Sequence, residues 1–300
     1  MTKPIDSTNL TLQDRTLGTV HLVGAGPGAV DLITLRGANL LAKADIVFYD
    51  ALVDPAMLDL CPQAEKVAVG KRCGKLSSAQ LFINKRLVDA AYKYQTIVRL
   101  KGGDPMLFGR ADEEIASLKE AGITVEVVPG ITAALAGAAS LQQSLTLRGI
   151  SRSVAFVTLA QGTENTHGDL EANVAAIGPI QNPSADTLVY YMGRKDAARI
   201  AKQLIEARGN HTADTPVHIL EAVSTAKERH WSSNLGGLAQ GKADDWFDSS
   251  SPALIMIGQA LEIREAHKTM KASATLGGLG SEIDNSLQDS VVLANSRRCA

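Results

Sequence analysis

Short apolar runs alternate with amphipathic stretches along most of the chain. "TVHLVGA", "DIVFYD", "KVAVG", "TIVRLKG" and "TVEVVPG" are β-branched runs of strand length, each closed by a turn signal. Between them, "TLRGANLLAKA" has helical spacing with Thr34 as its N-cap. "SSAQLFINKRLVDAAYKYQ" is a longer amphipathic helix with Ser78 in that position. Such alternation predicts a mostly parallel sheet of βα units, in which ligands bind at the carboxyl ends of the strands. After Pro129-Gly130 the rhythm changes. "SVAFVTLA", "DTLVYYMG", "TPVHILEA", "ERHWS" and "PALIMIG" are strand-like against one clear helix, "KDAARIAKQLIEARG", which predicts a mixed sheet. The expected fold class is α/β with two α/β domains. A flexible extension over 1–18 precedes an N-terminal domain over 19–130, a C-terminal domain over 131–262, and a polar, disordered tail over 263–300.

Composition changes this picture little. With 300 residues, 45% apolar and 21% charged, the chain reads as an ordinary globular protein. No apolar run approaches the roughly 18 residues of a membrane helix, and the segment 1–18 lacks the apolar core of a signal peptide. A net charge of −2 gives no bulk attraction to nucleic acid or to a membrane, so neither is expected as a partner. An anionic ligand has to meet a local basic cluster. Three widely separated cysteines (Cys61, Cys73, Cys299) form no CxxC pair, which points to reduced thiols in a cytoplasmic protein. His21, His167, His211, His218, His230 and His267 show no metal-binding spacing; they are expected to be structural or solvated, and no metal is expected.

Candidate chemistry lies in the turns. "HLVGAGPGAVDLITL" joins a strand to Gly24-x-Gly26 and offers a dinucleotide-binding reading, on which a nicotinamide-dependent oxidoreductase would rest. The loop is ill suited to it. Pro27 removes a donor, position 29 is alanine, and the first helix cap, Thr34, comes ten residues after Gly24, too far for helix amides to hold a pyrophosphate. Taken alone, Gly-Pro-Gly is explained equally well as a tight turn. Comparable turns recur at other strand ends: Asp50 after "IVFY", Gly70-Lys71 after "KVAV", Gly102-Gly103-Asp104 after "IVRLK", Pro129-Gly130 after "TVEVV" and Met192-Gly193 after "TLVYY". Several close-approach turns along one sheet edge describe a cleft for a ligand with extensive backbone contact.

The motifs "VGAGPG", "IVFYDALV", "VGKR", "VRLKGGDPMLFGRADEE", "VVPGITAA", "LTLR" and "VYYMG" stand in that order over residues 19–262. Together they resemble the tetrapyrrole methylase superfamily, and within it the uroporphyrinogen-III C-methyltransferase pattern; the GGDP-x-x-FGR-x-x-EE block is the most specific. The resemblance implies a homodimer with the active-site cleft between two α/β domains, binding S-adenosyl-L-methionine and releasing S-adenosyl-L-homocysteine. It implies methylation of two pyrrole carbons of uroporphyrinogen III, giving precorrin-2 by way of precorrin-1 for sirohaem- and cobalamin-type pathways. A methylase acting on a later precorrin is the nearest alternative. Carried over by motif, the cofactor contacts are Pro27, Gly102, Gly103, Asp104, Leu107, Thr132, Ala133 and Met192, with a backbone contact at Val223. Asp50 and Lys71 match acid–base positions.

The residues' own chemistry agrees. A sulfonium is electrophilic and a pyrrole carbon nucleophilic, so the transfer depends on alignment, which can supply about 7–11 kcal/mol. A positioned acid or base gives roughly 3–5 kcal/mol. Gly102 and Gly103 would admit a cofactor to the backbone, Pro105 stiffens the turn, and Asp104 offers an acceptor. Uroporphyrinogen is strongly anionic and guanidinium groups suit carboxylates. Arg110 and Arg148 are therefore the first substrate ligands, and Arg152, Arg72 and Lys71 weaker ones. Glu113 is a proton acceptor or orients Arg110, and Asp50 competes for the base role. Plainer readings stand beside these: a surface salt bridge for Arg110 and Glu113, a helix N-cap for Asp50, a solvated side chain for Lys71. The chain also departs from the family pattern. "LTLR" carries Leu147 where a histidine is usual, "TLAQ" (158–161) replaces "TGH", and "LEAVST" (220–225) lacks the usual glycine. These changes bear on fine specificity more than on reaction class.

Overall fold

The computed structural model describes residues 16–69, 76–159 and 183–262. Strands β1 (Thr19–Gly24), β2 (Ile46–Tyr49), β3 (Glu65–Ala68), β4 (Thr96–Lys101) and β5 (Val125–Val128) form an all-parallel sheet in the order β3-β2-β4-β1-β5. The apolar runs of β1 and β4 suit strands covered on both faces. Helix α1 (Leu35–Leu41) packs with Val23, Val47, Val98 and Leu100 on one face. Helices α2 (Leu76–Ala91) and α3 (Ala111–Glu120) cover Leu22, Phe48 and Ile97 on the other. Thr34 caps α1 as expected, its hydroxyl accepting from Gly37 N at 3.1 Å. Ser78 does not cap α2, because it lies inside that helix.

Parallel strands bring their carboxyl ends to one edge. From β1 the chain crosses toward β2, and from β4 it crosses the other way toward β5, so the order reverses between β1 and β4. In an open α/β sheet that reversal is where a crevice forms.

The second sheet contains β6 (Val154–Thr158), β7 (Thr187–Tyr191), β8 (Pro216–Glu221), β9 (Arg229–Asn234) and β10 (Ala253–Gly258) in the order β6-β7-β10-β8-β9. β6 and β7 are parallel and the other pairs antiparallel, the mixed sheet expected. Helices α5 (Ala197–Glu206) and α6 (Leu235–Ala239) cover one face, and α4 (Ala133–Leu141) the other. The sequence pattern did not reveal α4 or α6: "AALAGAASL" is apolar or small all round, and α6 is only five residues long. Both sheets fall in one compact unit, Met1–Glu262. Most of the expected extension and the tail lie outside the described residues; Gly18, at the extension's end, donates from its amide to Ala91 O at 2.9 Å. No helix among the described residues is long and apolar enough to cross a membrane.

Histidines pair across the β8–β9 hairpin. His218 Nδ1 lies 2.9 Å from His230 Nε2, and His218 Nε2 lies 2.8 Å from Leu261 O. Burial lowers the pKa of both rings from the ordinary 6.5. A base with a depressed folded pKa takes up protons more readily when unfolded, so stability is full above the unfolded value and is lost as pH falls through the folded one. The thermal midpoint, followed by circular dichroism at fixed ionic strength, is expected to fall between about pH 7 and 5, and His218→Gln to flatten that slope.

Candidate functional site

At the switch point the backbone itself forms the site. Gly26 N donates to Gly103 O at 3.2 Å, and Gly103 N donates to Gly26 O at 2.7 Å, joining the loops after β1 and β4. Gly130, after β5, seats against both: a Cβ there would lie 2.2 Å from Gly103 O and 2.8 Å from Gly24 Cα. Asp104 clamps the assembly. Its Oδ2 accepts from Gly130 N and its Oδ1 from Met106 N, both at 2.8 Å. The carboxylate expected to face a ligand thus holds two turns together. The two glycines before it divide their work. A side chain at Gly102 would meet Leu52 Cβ at 2.8 Å, whereas Gly103, with φ +69°, has open space where a Cβ would be. Leu107 is half-buried in the same loop, its N–H donating to Asp104 O.

The second sheet supplies the facing wall. Thr132 precedes α4, and its Oγ1 lies 2.6 Å from Tyr191 OH, to which Ala134 N also donates at 3.1 Å. Phe108, from the glycine loop of the first sheet, lies with its ring centroid 5.2 Å from that of Tyr191. Met192 follows Tyr191 and is exposed. The turn after β8 closes on the Gly-Pro-Gly loop: Ala29 N donates to Ser224 Oγ at 3.1 Å, and a Cβ at Gly28 would lie 3.1 Å from Val223 O. Pro27, Gly103, Thr132, Ala133, Met192 and Val223 therefore belong to one set of adjoining turns. Val223 takes part through its backbone carbonyl.

The path of these turns is strained. Among the described residues, five of the seven non-glycine residues with left-handed φ, Phe108, Arg110, Met192, Ala222 and Ser224, lie around these turns, so the surrounding contacts and not local preference set the backbone there. Ala222→Gly is expected to raise the thermal midpoint by about 1–3 °C in calorimetry. Relief of a left-handed alanine, about 1–2 kcal/mol, outweighs the roughly 0.4–1 kcal/mol of added chain entropy.

Arg110 caps α3, two residues beyond Phe108, and grips Glu113 with both arms of its fork: Nε and Nη2 each donate at 2.6 Å. The hydrogen bonds it donates to Glu113 raise the Arg110 pKa further, so the guanidinium is a fixed cation. Both side chains are about two-fifths exposed, at 41% and 43%. Asp50 closes a turn through Leu52 N at 3.0 Å and also lies 3.7 Å from Arg99 Nη2. Lys71 and Arg72 lie outside the described residues.

Arg148 and Arg152 are not brought to these turns. The Leu147–Ser151 turn that carries Arg148 is fixed by Ser151 Oγ, 2.9 Å from Thr187 Oγ1, and Arg152 N donates to Asp186 Oδ2 at 2.9 Å. Thr187 opens β7 whereas Met192 follows its end, about 16 Å away at strand rise. Guanidinium chemistry groups these arginines with Arg110 as carboxylate ligands; the length of β7 stands between their turns and Met192. A groove of about 560 Å³ spans the interval, lined by Leu135, Leu145, Val154 and Phe156, with the Phe156 ring 6.2 Å from that of Tyr191. Leu147 shares the distant turn, and of "TLAQ" only Thr158 and Leu159 are described.

A further group escaped the sequence reading. Arg99, Lys101 and Glu114 are buried together beside Asp50. The signal was present: two cations two residues apart in a central strand must share one covered face, and an acid has to meet them. No group of His, Cys, Asp and Glu among the described residues could hold a metal.

Residues 19–239 match the family of tetrapyrrole (corrin/porphyrin) methylases, and the chain belongs to that family. It is 42% identical over 242 residues to a uroporphyrinogen-III C-methyltransferase of Pseudomonas aeruginosa, covering 81% of this chain and 94% of that protein. It is also 42% identical over 254 residues to a siroheme synthase of Pseudomonas fluorescens, covering 83% of this chain but only 52% of the relative; the chain spans about half the length of the siroheme synthases it matches. Among solved structures, the Thermus thermophilus uroporphyrin-III C-methyl transferase complexed with S-adenyl homocysteine is 37% identical, with a TM-score of 0.65 over 83% of this chain and 97% of that one.

Proposed function

We propose that the chain is an S-adenosyl-L-methionine-dependent methyltransferase that methylates uroporphyrinogen III twice, giving precorrin-2 by way of precorrin-1. One observation carries the reading: three strand-end turns, at Gly24–Gly26, Gly102–Asp104 and Gly130, are fused into a single backbone surface facing Tyr191, Met192 and Val223. Such a surface suits a cofactor held mainly by amides and carbonyls, and the related structure binds the demethylated cofactor. Pro27, Gly102, Gly103, Leu107, Thr132, Ala133, Met192 and Val223 are assigned to cofactor contact, with Asp104 holding their spacing. S-adenosyl-L-methionine supplies a methyl group on an electrophilic sulfonium. The protein's part is to align it and exclude water, while Arg110 holds a carboxylate arm of the tetrapyrrole. Glu113 orients Arg110 or accepts the proton released from the methylated carbon, with Asp50 and Lys71 as the competing acid–base pair.

The remaining expectations follow the same reading. The domain boundary falls near 130, where Pro129-Gly130 leads from one sheet into the helix covering the other. A cytoplasmic homodimer rests on the resemblance and on cysteine usage. Supply of precorrin-2 to siroheme synthesis is favoured by the siroheme synthase relatives; cobalamin-type routes would draw on the same product. Arg148 and Arg152 would reach an anionic arm only along the groove from Phe156.

The test is anaerobic incubation with uroporphyrinogen III and methyl-labelled S-adenosyl-L-methionine, followed by mass analysis of the tetrapyrrole. A gain of two methyl groups is expected. S-adenosyl-L-homocysteine binding without transfer to this substrate would move the substrate to a later precorrin. NADH binding in place of S-adenosyl-L-homocysteine would overturn the reading.

A further inference from the structure

Four charged side chains converge behind the glycine turns. Glu114, fully buried, places Oε1 3.1 Å from Arg99 Nε and 3.2 Å from both Lys101 Nζ and Gln80 Nε2, and Oε2 3.1 Å from Lys101 Nζ. Arg99 donates from Nη1 to Leu100 O at 2.9 Å and turns Nη2 toward Asp50. Gln80 Nε2 also donates to Asn84 Oδ1 at 2.9 Å, and Asn84 Nδ2 donates to Glu113 O at 3.2 Å. Lys101 runs beneath the loop, its Cε 3.1 Å from where a Cβ at Gly109 would stand. Burial lowers the Lys101 pKa, and Glu114 works against that.

Buried ion pairs are weak sources of stability, because desolvation cancels most of their attraction. A network of this size is better explained by what it holds, and both of its ends hold assigned residues. Through Arg99 it reaches Asp50. Through the first turn of α3 and the Glu113 carbonyl it sets the direction of Arg110 and Glu113, which sit on the same turn as Glu114.

We infer that Glu114, with Arg99 and Lys101, is a positioning set for methyl transfer, fixing Asp50 and the Arg110–Glu113 pair relative to each other across the mouth of the cleft. This rests on the reading of the site given above. None of the three touches substrate; each acts through a neighbour.

Glu114→Gln keeps the shape and removes the charge. In the full chain it is expected to lower kcat about 10–100-fold per molecule able to bind S-adenosyl-L-homocysteine, with the Kd for that ligand changed less than about twofold. A purely structural role would reduce the bindable fraction and leave kcat per bindable molecule alone. Combined with Asp50→Asn, the Glu114→Gln loss should be smaller than in the wild-type background, since part of its effect passes through Asp50; fully multiplicative losses would overturn the assignment. Should Glu114→Gln fail to fold, the Glu114→Gln/Lys101→Met variant removes one charge of each sign and answers the same question: low kcat in a stable protein supports positioning, and restored kcat overturns it. A wild type that transfers no methyl group overturns the functional reading and this assignment with it. An active wild type matched by an equally active Glu114→Gln protein overturns only the assignment.

Discussion

Gly130→Ala is expected to lower the thermal midpoint by about 6–12 °C and to weaken S-adenosyl-L-homocysteine binding by at least about 100-fold. The added Cβ would stand 2.2 Å from Gly103 O and 2.8 Å from Gly24 Cα, and both obstacles are backbone. A side chain can change rotamer to admit a methyl group; these turns cannot, because Gly103 is bonded to Gly26 and Gly130 to Asp104. The turns after β1, β4 and β5 must part, at a cost near 3 kcal/mol, the upper range for overpacking, which in a chain of this size moves the midpoint by about 2–4 °C per kcal/mol. Gly103→Ala is the informative contrast. Its Cβ enters open space, so it carries only the left-handed penalty of about 1–2 kcal/mol. That variant should lose binding with a smaller fall in midpoint. Calorimetric unfolding and ligand titration of both proteins separate the effects, and a Gly130→Ala protein with wild-type affinity would show that the fused turns are not the cofactor surface.

The contrast shows what could be read from residues alone. Strands and their order of appearance were legible because β-branched runs end at glycine, proline or aspartate, and the Thr34 cap because it directly precedes its helix. That several turns gather at strand ends was legible from their recurrence. What they do to one another was not. Gly130 packs on Gly24 and Gly103 from positions more than a hundred and about thirty residues apart in sequence, and spacing carries no trace of that. Direction sets where the other arginines stand: Arg148 and Arg152 precede β6, at the amino edge of a sheet whose opposite edge carries Met192. Asp104 is expected as a cofactor contact from its motif and its acceptor chemistry; that its two oxygens also accept from the Met106 and Gly130 amides has no trace in spacing.

Arg110 makes the second large prediction. Arg110→Ala is expected to lower kcat/KM for the tetrapyrrole by about 10²–10³-fold, leaving S-adenosyl-L-homocysteine affinity and thermal midpoint nearly unchanged. The fold has little to lose, since the Arg110–Glu113 pair is substantially exposed and such pairs contribute at most about 1 kcal/mol. Alanine is no worse than arginine at a left-handed cap. The site has much to lose. A forked guanidinium can exchange Glu113 for a carboxylate arm with no change in hydrogen-bond count, and two charge-assisted bonds of about 1.5–3 kcal/mol each account for the expected factor. Arg110→Lys keeps the charge without the fork and should recover only part of the activity. Glu113→Gln then separates the two roles left to its neighbour: an orienting acceptor survives as an amide with a rise mainly in KM, whereas a proton acceptor does not and the loss falls on kcat. Full turnover by Arg110→Ala would leave the family and the cofactor surface standing but would require the anionic arms to be held elsewhere, with the groove lined by Phe156 and Thr146 the next place to mutate.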